Sequence, residues 1–265
     1  MKGKYMAATF GCCFTLTPYP LPLISNYNKY TKEIEMNLKN KCNIFGFLIP
    51  AALFLSIVTM GNAQSISQDI PGTDKIDIKA KYLFYLHGRI IEEKGIRPFS
   101  EKYGVYEYEK ILETFKNKGF FVISEAREKN TSVSRYAQKV VSQVKALLKA
   151  GVPPGNITVV GASKGALIAM LVSTSLGNKD VNFVFIAGCN DMIYHRFDIN
   201  FCGNILSIYD ESDELVGTCQ MFFKNSTGIN QYKEIKLKVG TGHGILYKPL
   251  KEWVEPVVNW AKQSK

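Results

Sequence analysis

Two hydrophobic patterns alternate along the chain from residue 82 to residue 262. Short, nearly continuous apolar runs occur at Tyr82-Leu-Phe-Tyr-Leu86, Phe120-Phe-Val-Ile-Ser124, Ile157-Thr-Val-Val160, Val181-Asn-Phe-Val-Phe-Ile186, Ile205-Leu-Ser-Ile-Tyr209 and Ile235-Lys-Leu-Lys-Val239. Runs of this length and composition are read as strands, mostly buried on both faces. Between them lie segments with apolar residues at three- and four-residue steps. Val133, Tyr136, Val140, Val144, Leu147 and Leu148 mark one over 132–149, stopped by Gly151-Val-Pro-Pro-Gly155. Helices are also expected over 103–118, 166–176 and 249–262, with a short one at 214–223. Strands alternating with helices specify an α/β fold: a mostly parallel central sheet with helices on both faces. Residues 76–79 are candidates for an additional strand.

A different pattern precedes this region. No charged residue occurs between Cys42 and Gln68, and the apolar centre spans 44–59. Lys39 and Lys41 precede it, and Gly61-Asn-Ala63 follows it. This is the build of a secretory signal peptide over 36–63, with cleavage expected after Ala63. The alternative is a retained membrane anchor, because the apolar run is nearly long enough to span a bilayer. Residues 1–35 read as an upstream extension with no fold assigned, and 64–265 as a single domain. The expectation is an exported protein, periplasmic or secreted, with no membrane span once the signal is removed.

The whole chain of 265 residues carries a formal charge of +10. Its basic residues are scattered, and no recognition helix or zinc-finger spacing accompanies them, so nucleic acid is not an expected partner. Lys233, Lys236 and Lys238 cluster around Glu234 in the manner of a solvated edge strand. After cleavage three cysteines would remain, Cys189, Cys202 and Cys219, so at least one lacks a partner within the chain. Cys189 and Cys202, separated by twelve residues, are a candidate bridge. No Cys/His cluster suggests a metal. No Walker or dinucleotide glycine pattern suggests a cofactor. Oligomeric state is not legible.

The strongest chemical signal is Gly161-Ala-Ser163-Lys-Gly165, directly after the run 157–160 and directly before a helical segment. A tight strand-to-helix turn would lift Ser163 above the sheet, and the helix N-terminus would favour negative charge developing there. A serine hydroxyl needs a base. The chain has three histidines. His243, in a glycine-rich loop after the last strand, is the expected base. His87 fits a structural or oxyanion-loop role, and His195 has no obvious frame. The carboxylate that orients the base is expected at Asp213, with Asp210 as runner-up. Glu211 and Glu214 should face solvent, and Asp191 is a distant alternative. The oxyanion donors are expected to be the backbone N–H of Lys164 and that of Gly88 or Arg89. The Lys164 side chain is a further candidate base, and the Arg89 guanidinium is a candidate contact for an anionic substrate or for Glu92 or Glu93.

With Ser163, Asp213 and His243 in that order, the chain resembles the α/β-hydrolases over about residues 80–262. The matching segments are His87-Gly88, the serine pentapeptide, Asp210-Glu-Ser-Asp213 and Gly242-His243-Gly244. Asp210 stands where that family often has a glycine, and Asp213 matches the acid. The resemblance implies a serine hydrolase working through an acyl-enzyme, most readily on carboxylic esters, with a small-molecule or acyl substrate. Peptidase, amidase, thioesterase and acyltransferase chemistry use the same frame. A non-catalytic binding protein of the same fold is the alternative from another class. Only 188–203 and 217–231 remain to cover the site. Tyr194, Phe197, Phe201, Phe222 and Phe223 in those stretches are candidates for its lining, or for packing.

Overall fold

The computed structural model describes residues 69–72 and 75–263. The expected signal peptide and upstream extension lie outside the described residues. Eight strands form two sheets: β1 (Lys81–Leu86), β2 (Phe99–Ser100), β3 (Gly104–Val105), β4 (Phe120–Ile123), β5 (Ile157–Ala162), β6 (Asn182–Ile186), β7 (Cys202–Asp210) and β8 (Gly228–Leu237). The helices are α1 (Arg89–Lys94), α2 (Tyr108–Asn117), α3 (Val133–Lys149), α4 (Lys164–Leu176), α5 (Asp191–Arg196), α6 (Gln220–Asn225) and α7 (Lys251–Lys262). The main sheet has the order β4-β1-β5-β6-β7-β8, and β2 pairs only with β3. Every pairing in the main sheet is parallel.

The apolar runs explain the two-sided core. Leu83, Tyr85, Val160, Val184 and Ile208 face one side and pack with Ile111, Phe115, Trp253 and Val257 of α2 and α7. Tyr82, Phe84, Val159, Phe183 and Phe185 face the other side and meet Val140, Val144, Ile168 and Val172 of α3 and α4. Neighbouring residues thus serve opposite cores, as the two-residue period of a strand requires.

Register positions the site. Leu86 pairs with Gly161, Ala162 with Ile186, Ile186 with Ile208, and Asp210 with Leu237. The C-terminal ends of five neighbouring strands are therefore level. The loops that leave them meet along one edge, where ligands gather in parallel sheets.

Several expectations need correction. Residues 76–79 form no strand. The helix expected over 103–118 begins at Tyr108, because Phe99 and Ser100 pair antiparallel with Val105 and Gly104 first. The last strand is Gly228–Leu237 rather than 235–239. Its first half pairs with Cys202–Asn204 through a bulge and has the mixed exposure of an edge strand, which hides it from an apolar-run reading. The potential cover therefore shrinks from 217–231 to a stretch containing the short α6. The helix expected at 214–223 starts only after Cys219, because Gly217 bridges to Cys189 and Cys219 is disulfide-bonded.

The candidate bridge between Cys189 and Cys202 is not formed. Cys189 pairs with Cys219, with Cα atoms 5.2 Å apart, and Cys202 is a buried free thiol. Cys202 starts β7 at the N-terminal edge of the sheet, whereas Cys189 lies beyond the C-terminal end of β6. The two edges are about 20 Å apart at 3.3 Å per strand residue, far beyond disulfide reach. Lys233, Lys236 and Lys238 are exposed along and just beyond the edge strand β8. No helix among the described residues is long and apolar enough to cross a membrane.

Candidate active site

Ser163 sits at the apex of the turn from β5 into α4, with φ 52° and ψ −117°. A positive φ is uncommon for a residue with a Cβ and is strained. The surroundings enforce it. The Ser163 N–H donates to the Ile186 carbonyl at 2.9 Å. A Cβ on Gly161 would overlap the Gly165 carbonyl, and one on Gly165 would overlap the Leu86 carbonyl. Both glycines are thus required where strand and helix backbones cross.

His243 reaches the serine from the loop after β8. Its Nε2 lies 2.9 Å from Ser163 Oγ, and its Nδ1 lies 2.7 Å from Asp213 Oδ2. With Asp213 ionised, Nδ1 carries the ring proton, Nε2 accepts, and the serine O–H donates. The Asp213 side chain is 1% exposed and that of His243 19%. The other oxygen of Asp213 accepts from the Leu215 N–H at 2.9 Å. The structure therefore brings Ser163, His243 and Asp213 into one hydrogen-bonded chain. His195 is on α5, exposed, with its ring against Tyr194.

Asp210 has a different task. Its Oδ2 accepts the N–H groups of Val239 at 2.8 Å and Gly240 at 3.1 Å, and its Oδ1 accepts those of Ser212 and Gly242. It fastens the turn that carries Asp213 to the loop that carries His243. Burial raises its pKa, but the hydrogen bonds from Ser212, Val239 and Gly240 outweigh that effect and hold the carboxyl below its ordinary value. Glu211 and Glu214 are exposed, as is Asp191.

A second network shapes the other side of the serine. His87 is fully buried, and its Nε2 accepts the Arg127 N–H at 2.9 Å. Its Nδ1 therefore carries the proton and donates to the Gly88 carbonyl at 2.8 Å. Burial, reinforced by the neighbouring Arg127 charge, lowers the His87 pKa to about 3, so the ring is neutral at pH 7. Arg127 also binds the His87 carbonyl through Nη2 and the Glu92 carboxylate through Nε at 2.8 Å. Glu92 is shared with Lys164, whose ammonium also donates to the Thr131 carbonyl at 2.8 Å. The Lys164 side chain is thus committed away from Ser163. The sequence offers Glu92 only as a partner for Arg89 and does not single out Arg127, because no spacing links residues 92, 127 and 164 until the chain folds; Glu92 pairs with Arg127 and Lys164 instead.

The same network orients backbone donors. Burial raises the Tyr106 phenol to about 12, opposed chiefly by its hydrogen bond with Tyr85. The Gly88 carbonyl faces the His87 ring, so the Arg89 N–H of the same trans peptide points the opposite way. Lys164 N–H and Arg89 N–H each open a helix and have no intrahelical acceptor. A Cβ built on Gly88 would lie 3.5 Å from Ser163 Cβ, so this loop adjoins the serine.

The cleft over Ser163 has a volume of about 520 Å³ and is lined in part by Arg89, Leu167, Ile193, Phe197, Val216 and His243. Of the five aromatics considered for the lining, Phe197 alone borders it. Phe201, Phe222 and Phe223 pack on one another in the core, and Tyr194 lies against Phe222. Among the described residues no group of three or more His, Cys, Asp or Glu is arranged to hold a metal.

No family model matches the chain, and no curated protein matches its sequence. Solved structures do resemble it. Est1E from Butyrivibrio proteoclasticus is 12% identical, covers 71% of this chain and 89% of its own, and has a TM-score of 0.46. An esterase from Pyrobaculum calidifontis is 16% identical, covers 69% and 75%, and scores 0.44. MGS-M1, an α/β-hydrolase from a Medee basin deep-sea metagenome library, is 14% identical, covers 74% and 88%, and scores 0.44. The parallel six-stranded sheet with helices on both faces and a Gly-x-Ser-x-Gly turn at the end of its third strand in spatial order is an α/β-hydrolase fold.

Proposed function

We propose that the protein is a serine hydrolase that cleaves carboxylic esters through an acyl-enzyme on Ser163. The observation that carries this reading is the continuous hydrogen-bonded chain from Ser163 Oγ through His243 to Asp213. Ser163 Oγ attacks the ester carbonyl carbon while its proton passes to His243 Nε2. Asp213 holds the imidazole in the required tautomer and stabilises the imidazolium. The Lys164 and Arg89 N–H groups stabilise the tetrahedral oxyanion, and each such donor contributes about 3 kcal/mol to the transition state. The intermediate collapses, the C–O bond to the alcohol breaks, and the leaving oxygen takes the proton from His243. Water then attacks the acyl-serine with His243 as base. The second collapse returns the proton to Ser163 and releases the carboxylic acid.

The same reading sets the domain in an oxidising compartment. What supports it is the Cys189–Cys219 disulfide together with the signal-like segment 36–63.

The test is labelling of the purified protein with a fluorophosphonate at pH 7–8, with the adduct located by mass spectrometry. Labelling is expected at Ser163, abolished in Ser163→Ala and slowed at least a hundredfold in His243→Ala. Absence of labelling in folded protein overturns the reading. A panel of ester, thioester and peptide substrates then fixes the bond cleaved.

A further inference from the structure

Among the described residues, two arginines at the cleft have no carboxylate partner. Arg89, Lys164 and Arg196 all border the space over Ser163, and no aspartate or glutamate does. The Lys164 charge is taken up by Glu92. Arg89 also lies three residues from Glu92 in the same helix, but that carboxylate is turned inward to Arg127 and Lys164. Among the described residues neither Arg89 nor Arg196 has an ion pair. They stand on different elements, Arg89 opening α1 and Arg196 closing α5. The Arg196 guanidinium lies 5.9 Å from the ring of Phe197, which is itself a wall residue.

The same cleft exposes apolar surface. Met192 is 68% exposed and Leu215 65%, and both border it, above the more buried Leu167, Ile193 and Val216. Exposed apolar side chains beside unpaired guanidinium groups suit an amphiphile. The apolar body gains by leaving water, and the charged end replaces water on the arginines. A neutral ester filling the same space would leave both exposed guanidinium groups without a charged acceptor.

We propose that the ester hydrolysed at Ser163 bears a negative charge on an apolar body, held by Arg89 and Arg196. This rests on the hydrolase reading above. The anion is a carboxylate or a phosphate, which a guanidinium accepts in the same two-pronged geometry.

The test compares three p-nitrophenyl esters of equal length: one ending in a free carboxylate, one in a phosphate, and one in a methyl-capped carboxylate. Their leaving group and oxyanion are the same, so the ratio of kcat/KM isolates the remote charge. At low salt a charged ester is expected to exceed the capped one about tenfold, since each exposed ion pair contributes about two- to fivefold. The ratio should shrink severalfold in 1 M NaCl, where screening acts within about 3 Å. It should also fall severalfold in Arg196→Ala and recover in part in Arg196→Lys. Preference for carboxylate or for phosphate identifies the anion. A capped ester that is turned over as well as both charged ones, or a preference indifferent to Arg196→Ala, overturns the proposal. Fluorophosphonate labelling of the same preparation separates the two levels. If Ser163 is labelled and the charge preference is absent, only the substrate inference falls; if labelling is also absent, the hydrolase reading falls with it.

Discussion

Asp210 and Asp213 are three residues apart, and their carboxylates meet different partners. Asp213 gives one oxygen to an imidazole and one to a single amide. Asp210 gives both oxygens to the amides and hydroxyl that close the turn and loop around it. In sequence the two read almost alike, and choosing Asp213 rested on its distance beyond the strand. Their variants should separate activity from stability. Asp213→Asn is expected to lower kcat about 10³- to 10⁴-fold by favouring the wrong imidazole tautomer, with little change in the urea midpoint. Asp210→Asn is expected to destabilise by about 1–3 kcal/mol in urea unfolding, because backbone donors lose a charged acceptor. If Asp210→Asn instead abolishes kcat in a protein of unchanged stability, the two roles are reversed.

Ser163 was legible because its signature is local: a strand, two glycines and a helix in an unbroken stretch. Of the expected oxyanion donors, Lys164 follows from the same local turn, whereas the sequence leaves the second open between Gly88 and Arg89. The direction of the Arg89 amide depends on the Gly88 carbonyl facing the His87 ring, which Arg127 holds, contacts that no local pattern encodes.

Among the elements, the short ones set the shape of the site. The segment 188–190 leaves β6 and forms part of the cleft wall before α5 begins. The disulfide ties the buried Cys189, between the wall residues Gly188 and Asn190, to Cys219 at the start of α6, with a sequence separation of 30. A bridge closing a loop of this size typically stabilises by about 2–4 kcal/mol. In the double variant Cys189→Ala/Cys219→Ala the urea-unfolding free energy should fall by about that amount. KM for an ester should rise more than kcat falls, because the bridge holds the wall rather than the serine. A fall in kcat with KM unchanged would instead tie the bridge to the reacting groups. The long helices and central strands were legible, apart from the start of α2, because each carries its own local hydrophobic signal, an amphipathic period in α3 and α7 and a nearly continuous apolar run in β1, β5, β6 and α4. β2, β3, α1, α5 and the first half of β8 carry too few residues, or too mixed an exposure, for a period to show.

Across the whole molecule, a buried ionic cluster joins parts distant in the chain. Glu92 of α1, Arg127 before α3 and Lys164 of α4 meet beside His87 at the end of β1. This cluster makes stability depend on pH. The His87 pKa is about 3 in the folded protein against an ordinary 6.5. A lowered folded value means that the stability the neutral ring contributes is complete above about 6.5. It is lost progressively as pH falls toward 3, because the unfolded chain takes up the proton first. The slope contributed by this one group is at most about 1.4 kcal/mol per pH unit. Urea unfolding at pH 7.5 and pH 5.0 should show this loss, and His87→Asn should flatten it. If that variant fails to fold, imidazole NMR of the native protein provides the check. The His87 resonance should remain that of the neutral ring at pH 5, and titration near 6.5 would contradict the assignment.

By itself the sequence determined the α/β layering, the turn at Ser163 and the histidine that lies beside it. These depend on residues near one another in the chain, where hydrophobic period, glycine and capping chemistry act directly. Tertiary structure decided which aspartate meets His243 and which cysteines pair. It also decided which arginines at the cleft have no carboxylate partner among the described residues. Each of those outcomes joins residues tens of positions apart. Strand register set the distances, and competition for buried hydrogen-bond partners set the pairings.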